Sequence, residues 1–321
     1  MLDLIIDRPQ KQISYEDKIM LIGSCFSEEI GDKLSALKFS IFQNPNGILF
    51  DPQSIYQCLT DVISNRKITE RELVQQGEVY HSMDHHSEFS SIHKEKVLDK
   101  INDHTSRAHL FLKQAKWLIV TFGTNWSYEL LASGKPVANC HKMPGEMFYK
   151  REMEIEEIIS KFKEAEQSLK EFNPALTLIY TVSPVRHIRN GVINNNLSKA
   201  KLLVAVHKLV TQAKSNYYFP SYELAIDVLR DYRFFDTDLV HPNAPAVEFI
   251  FDKFVQTFLN DKGNSILSAI KKWKNNIDHR PYFPESIAHA EFKKTVYKET
   301  MELMKRYPYL DFNRELLKMD N

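Results

Sequence analysis

The sequence predicts an α/β protein, a three-layer α/β/α sandwich around a mostly parallel sheet, followed by a helical C-terminal extension. Three observations carry this. Apolar runs of strand length alternate with helical patterns, namely Ile19-Met20-Leu21-Ile22, Trp117-Leu118-Ile119-Val120-Thr121-Phe122 and Leu176-Thr177-Leu178-Ile179-Tyr180-Thr181-Val182. Strands alternating with helices in this way belong to a parallel sheet covered on both faces. The chain holds only 9 glycines, yet Gly23, Gly47 and Gly123 each stand just beyond a strand or strand-like segment. From about Phe258 onward the pattern changes to helices rich in Lys, Glu and aromatic residues.

Taken in order, Gly23 breaks the first apolar run, and Phe26, Ile30, Leu34 and Leu37 then recur on one helical face. Phe39 to Gln43 alternates apolar and polar before the turn-rich Asn44-Pro45-Asn46-Gly47, and a helix is expected from about Pro52 to Ile63. Residues 66–95 are polar and His-rich, and are expected to form a hairpin or lid-like insertion. A helix around Asp99 to Lys113 leads into the strand that ends at Gly123-Thr124-Asn125, and a hairpin turns at Ser133-Gly134. A helix over 151–171 precedes the strand 176–182, and a helix from Leu197 to Lys214 precedes Tyr217 to Ile226 and Asp236 to Pro242. Residues 1–257 read as the principal domain. Residues 258–321, interrupted at His279-Arg280-Pro281-Tyr282-Phe283-Pro284, read as an extension packed on it, with Tyr307, Tyr309 and Phe312 as packing anchors.

Composition excludes several classes. The 42 Lys and Arg cancel the 42 Asp and Glu, so no net field favours nucleic acid or an anionic membrane surface. No apolar stretch approaches the ~20 residues that span a bilayer. Met1 to Gln12 lacks the basic-then-apolar pattern of a signal peptide. Cys25, Cys58 and Cys140 form an odd, sparse set without metal-type pairing. The expectation is a cytoplasmic protein without metal or cofactor.

The chemistry centres on Gly23-Ser24-Cys25-Phe26-Ser27, where a hydroxyl and a thiol sit side by side at a strand-to-helix turn. Backbone amides point outward there and stabilise negative charge. Three further pieces follow in order: Gly47, Gly123-Thr124-Asn125, and Asp238-Leu239-Val240-His241. Together these resemble the SGNH (GDSL-type) hydrolase superfamily. The literal Gly23-Ser24-Cys25-Phe26-Ser27, with Asn44-Pro45-Asn46-Gly47, Asn139-Cys140-His141-Lys142 and His241-Pro242-Asn243, is similar to the GSCFA-domain family within it. The resemblance spans roughly residues 15 to 255 and implies a flavodoxin-like, SGNH hydrolase-type sheet.

It also implies roles. His241 would accept the nucleophile's proton and return it to the leaving group, with Asp238 fixing the His tautomer. Asp236 is the rival to Asp238 but has the wrong spacing. Oxyanion donors would be the nucleophile's own N–H, the backbone N–H of Gly47 and the Asn125 side chain, although Asn125 could merely cap the segment after it. The superfamily signature is Gly-Asp-Ser, so an ungapped match places Cys25 on the nucleophile and Ser24 on the Asp. As a helix N-cap, Ser24 would have its hydroxyl occupied by backbone N–H groups, and a thiol in the first helical turn would gain thiolate character, opposed by Glu28 and Glu29. A one-residue shift would instead make Ser24 the nucleophile and Cys25 a packing residue.

Asn46, His141, Lys142, Arg186 and His187 fall in or near loops after strands and could line a substrate pocket, with Arg186 or Lys142 binding an anionic group. The His81 to His86 cluster lacks a second ligand group at defined spacing and reads as a polar loop or lid edge. The resemblance implies an ester or thioester hydrolase or acyltransferase acting on a small-molecule or carbohydrate acyl substrate. The alternatives are an inert acyl- or sugar-binding module and a hydrolase with a metal-binding insertion.

Overall fold

The computed structural model describes residues 2–213 and 215–319. The chain runs β1 (Lys18–Gly23), α1 (Cys25–Ala36), β2 (Ser40–Gln43), α2 (Pro52–Ser64), β3 (Leu73–Gln76), β4 (Val79–Ser82) and α3 (Lys94–Gln114). Next come β5 (Trp117–Phe122), β6 (Trp126–Leu130), β7 (Pro136–Val137), β8 (Phe148–Glu152), α4 (Ile155–Phe172), β9 (Thr177–Val182), α5 (Val192–Gln212) and β10 (Asn216–Phe219). A short α6 (Ser221–Glu223) passes into a π-helical turn over Leu224–Leu229, and α7 (Ala244–Phe258), α8 (Asp261–Ile277), α9 (Ile287–Arg306) and α10 (Asn313–Met319) follow.

The central sheet has five parallel strands in the order β10-β9-β5-β1-β2. Counted along the chain, this is the doubly wound 2-1-3-4-5 order, whose topological switch lies between β1 and β5. Side chains alternate between the two faces. Ile19, Leu21, Trp117, Ile119 and Ile179 pack against α1 and α7, whereas Met20, Ile22, Leu118, Val120 and Val182 pack against α2, α3, α4 and α5. Each face is apolar because each is covered, which is why the strands read as continuous apolar runs. Ile266, Ile270, Trp273, Leu303, Tyr307 and Phe312 join the α1–α7 face, and the buried Trp273 indole donates to Thr300 Oγ1 at 2.8 Å. The C-terminal helices therefore extend the same core.

Two smaller sheets sit outside this layer. The insertion over 66–95 contains the antiparallel β3–β4 hairpin, and β6 pairs with β7 and β8. The expected helix over 151–171 begins only at Ile155. Lys150, Arg151 and Glu152 favour helix locally, but pairing with Tyr128, Ser127 and Trp126 draws them into β8. The helix expected from Leu197 to Lys214 runs from Val192 to Gln212, and Lys214 lies outside the described residues. Among the described residues, no helix is long and apolar enough to cross a membrane.

Candidate active site

The register Gly23↔Thr121 brings the carboxyl ends of β1 and β5 side by side at the switch point. Gly23 has φ +142, and a Cβ there would overlap the Thr121 carbonyl oxygen, so close backbone approach requires glycine. The segment after the Asn44–Gly47 turn crosses these strand ends. Leu49 N–H donates to Gly23 O at 2.9 Å, and Phe50 O accepts the N–H groups of Gly123 (2.8 Å) and Thr124 (3.0 Å). The three glycine-marked strand ends are thus stitched together by one short stretch of chain.

Cys25 is the first residue of α1 and is partly buried. Ser24 occupies the N-cap position but makes no capping bond. Its Oγ is sealed from solvent and has no partner, and Ser27 N–H goes to the Ser24 backbone carbonyl at 2.8 Å instead. This corrects the expectation of an occupied cap hydroxyl. The thiol is corrected as well. Burial first, and then Glu29 one turn along the helix, push Cys25 up to about 11, against the smaller opposing pull of the Phe26 N–H, Lys199 and its own N–H. The helix N-terminus does not prevail over desolvation here.

His241 and Asp238 form a pair. His241 Nδ1 lies 2.6 Å from Asp238 Oδ2, while Asp238 Oδ1 accepts the backbone N–H groups of Val240 (2.8 Å) and His241 (3.0 Å). These donors, led by the His241 N–H, hold the Asp238 carboxyl down at about 2. The loop is closed by Asp236 N–H to His241 O (2.8 Å), by a Phe235–Pro242 bridge and by Asn243, which caps α7. Arg186 braces it from outside, stacking over Phe235 and donating to Leu239 O. Burial raises the Glu29 carboxyl, with His241 opposing; Glu29 in turn raises Cys25, and the Glu29 Oε2 is buried without a partner. Among the described residues, no hydrogen bond joins His241 to Cys25 or Ser24; its ring is bonded to Asp238.

Other candidate residues take other places. The Gly47 N–H closes its turn on Asn44 O at 2.8 Å. Asn125 is fully buried, and its amide donates to Met153 O at 3.1 Å, tying β5 to the end of β8. Of the three expected oxyanion donors, the Gly47 N–H and an Asn125 amide N–H are therefore engaged in holding the backbone. Asn46 and His141 are not open to substrate either. The buried Asn46 amide donates to Asp84 O. The buried His141 ring stacks on His81, with Nε2 at Ser82 O (2.9 Å) and Nδ1 at Ser87 Oγ (3.1 Å). Both secure the insertion. Lys142, beside it, is exposed. His187 lies 6.0 Å from the Phe50 ring and is pushed down to about 4 by burial, then by Lys199, Arg189 and Lys150. Among the described residues, no group of three or more His, Cys, Asp or Glu side chains could hold a metal ion.

One site residue was not anticipated. Lys199 of α5 is 1% exposed, and its Nζ donates to Gly123 O (2.6 Å) and Ser183 O (2.7 Å). Its sequence signal was position. Asn195, Ser198, Lys199, Leu202, Val206 and Leu209 share the buried face of α5, so a lysine stands within the stripe that faces the sheet. Ser198 beside it accepts the Asn125 backbone N–H at 2.9 Å.

A family model described as the GSCFA family matches residues 18–254. The chain belongs to the GSCFA family. A second model, described as the GSCFA domain protein C-terminal domain, matches residues 270–321. Comparison with curated proteins found no match. Among solved structures, the chain is similar to a family 3 carbohydrate esterase of Clostridium thermocellum (12% identity, 80% of this chain and 99% of that chain, TM-score 0.35). It is also similar to a mutant acetyl-xylooligosaccharide esterase from Geobacillus Stearmophilus (10% identity, 77% and 96%, TM-score 0.41). A third likeness is to a carbohydrate esterase family 3 protein from Talaromyces cellulolyticus (10% identity, 80% and 99%, TM-score 0.37). All three superpositions are loose.

Proposed function

We propose that this GSCFA protein is an esterase-type hydrolase or acyltransferase in which Cys25 accepts an acyl group, His241 is the general base and Asp238 orients it. The observation that carries this reading is the contrast at the strand-to-helix turn. The Ser24 hydroxyl is sealed and unpartnered, whereas the Cys25 thiol is only partly buried at the first helical position. In the working tautomer His241 Nδ1–H donates to Asp238, leaving Nε2 with its lone pair.

The thiol is protonated at neutral pH, so attack is base-assisted. Nε2 takes the thiol proton as Sγ bonds to the acyl carbon. The tetrahedral oxyanion is stabilised at the N-terminus of α1, by the backbone N–H of Cys25 among others. Collapse breaks the bond to the leaving group, which recovers the proton from His241. Water or another acceptor then takes the acyl group from Cys25. A thioester or activated ester, or transfer to a second acceptor, suits a thioacyl intermediate. The step requires His241 Nε2 within hydrogen-bond reach of Cys25 Sγ.

The test is turnover of an aryl acetate, an acetylated sugar and an acetyl thioester by the wild-type chain and by Cys25→Ala, Ser24→Ala and His241→Ala. Turnover that survives Ser24→Ala but not the other two supports the assignment. Turnover unaffected by Cys25→Ala overturns it.

A second reading has its own observation: two of the three expected oxyanion donors, Gly47 and Asn125, hold the backbone, and His241 is bonded to Asp238 and not to the nucleophile. These features favour an inert acyl- or sugar-binding module. Equilibrium binding of an acetylated sugar without turnover of any of the three substrates would support it.

A further inference from the structure

The loop between α8 and α9 holds two aromatic side chains out into water. Tyr282 is 97% exposed and Phe283 78%, and Ile287, which opens α9, is 81% exposed. The backbone beneath them is fixed. Pro281 and Pro284 flank the pair, each locking its own φ and keeping the residue before it extended. The Phe283 carbonyl accepts both the Ser286 N–H (3.1 Å) and the Ser286 hydroxyl (2.9 Å). Ser286 Oγ also caps α9, accepting the His289 N–H at 3.1 Å. An apolar tip held rigidly in water has its ordering cost met before any partner arrives.

Beside the tip, where α8 ends and α9 begins, lies a cavity of about 230 Å³ lined by Ile277, His279, Pro281, His289, Phe292 and Val296 among others. The Phe292 ring sits between two imidazoles, 5.2 Å from His279 and 6.3 Å from His289. A cavity of ~150 Å³ already holds a benzene molecule, so this one has room for a phenyl side chain. Tyr282 and Phe283 are not among its walls.

We propose that this loop is a self-association surface: a second copy of the chain docks its Tyr282-Phe283 tip into the cavity and receives the first copy's tip in its own. Two features select a second copy as the occupant. Knob and hole stand side by side on one chain, and a two-fold axis through the tip satisfies both at once. The charges agree with that axis. Arg280 and Glu285 bracket the tip and are exposed, and among the described residues neither makes an ion pair. Two loops crossing antiparallel, with Tyr282 against the partner's Phe283, place Arg280 against the partner's Glu285 on both sides of the axis. The formal net charge of +0 adds no long-range repulsion between copies. A patch this small gives a weak dimer that dissociates on dilution.

Sedimentation velocity on the full chain, over about 1 to 200 μM, reads this directly. The sedimentation coefficient is expected to rise with concentration from that of a 37.6 kDa monomer towards that of a dimer. Phe283→Ser should stay monomeric across the range with an unchanged melting curve, since the ring is exposed. Arg280→Glu should weaken association about tenfold by setting like charges together, and Arg280→Glu combined with Glu285→Arg should restore it. A monomer at every concentration, or association untouched by Phe283→Ser, overturns the proposal. So does a double variant no tighter than Arg280→Glu alone, because reciprocal pairing requires the rescue. Flotation of a monomeric chain with phosphatidylcholine–phosphatidylserine vesicles, lost in Phe283→Ser, would assign the tip to a membrane surface and overturn it as well.

Discussion

Asp238 uses both carboxylate oxygens on one residue: Oδ2 meets His241 Nδ1 at 2.6 Å, and Oδ1 accepts the His241 backbone N–H at 3.0 Å. Ring and backbone of the base are therefore held by the same group. Asp238→Asn keeps an oxygen for the two N–H groups but no longer fixes the ring tautomer. We expect kcat on an aryl acetate to fall about 10²-fold or more, with KM and the thermal midpoint nearly unchanged. Steady-state kinetics and a melting curve on the same preparation check this, and a variant as fast as wild type would remove Asp238 from the mechanism.

Ser24→Ala tests the other half of the turn. Its hydroxyl is buried and unpartnered, so deleting it removes a desolvation cost and leaves no partner unsatisfied. Stability should stay within about 1 kcal/mol of wild type or rise slightly. Urea denaturation measures it. A loss of several kcal/mol would mean that the hydroxyl has a partner.

Gly23→Ala should be far worse. The new Cβ would meet the Thr121 carbonyl at a backbone angle of φ +142, and neither strand can move without breaking the β1–β5 ladder. We expect a loss of about 2 kcal/mol or more, visible as a lower urea midpoint, with Gly145→Ala, where nothing lies within 4 Å, as the benign control.

Acid should loosen the insertion. His85 is buried against Ser82 Oγ at 2.8 Å, and burial pushes it down to about 3. An unfolded His titrates near 6.5. Below that pH the unfolded chain binds the extra proton, so the His85 contribution is complete above pH ~6.5 and is lost as pH falls towards 3, at up to about 1.4 kcal/mol per unit. Asp51, fully buried and raised to about 6, acts with the opposite sign, so the comparison must be with a variant. His85→Asn should lose less stability between pH 7 and pH 5 than wild type in urea titrations. Equal losses would place the sensitivity elsewhere.

The fold was legible because its strands are buried on both faces. Met20 and Leu21 point to opposite helical layers, yet both must be apolar, so the run itself marks the strand. β8 was not legible, since Lys150 to Glu152 take strand form only through β6. The Asp238–His241 pair was legible because its three-residue spacing matches the resemblance's Asp-x-x-His and the contact is local. The engagement of Asn125 by Met153, 28 residues on, and the wedging of His141 against Ser82 depend on how distant segments meet. Sequence spacing carries nothing about such meetings. Lys199 lay between these cases: its place on the apolar stripe of α5 was visible, whereas the two strand-end carbonyls that hold it were not.

The most direct measurement is where an acyl group lands. Wild-type chain mixed briefly with an acetyl thioester, quenched in acid and mapped by peptide mass spectrometry should carry acetyl on Cys25, with none in His241→Ala. Acetyl on Ser24, or an equal yield on Cys25 without His241, would contradict the assignment of nucleophile and base.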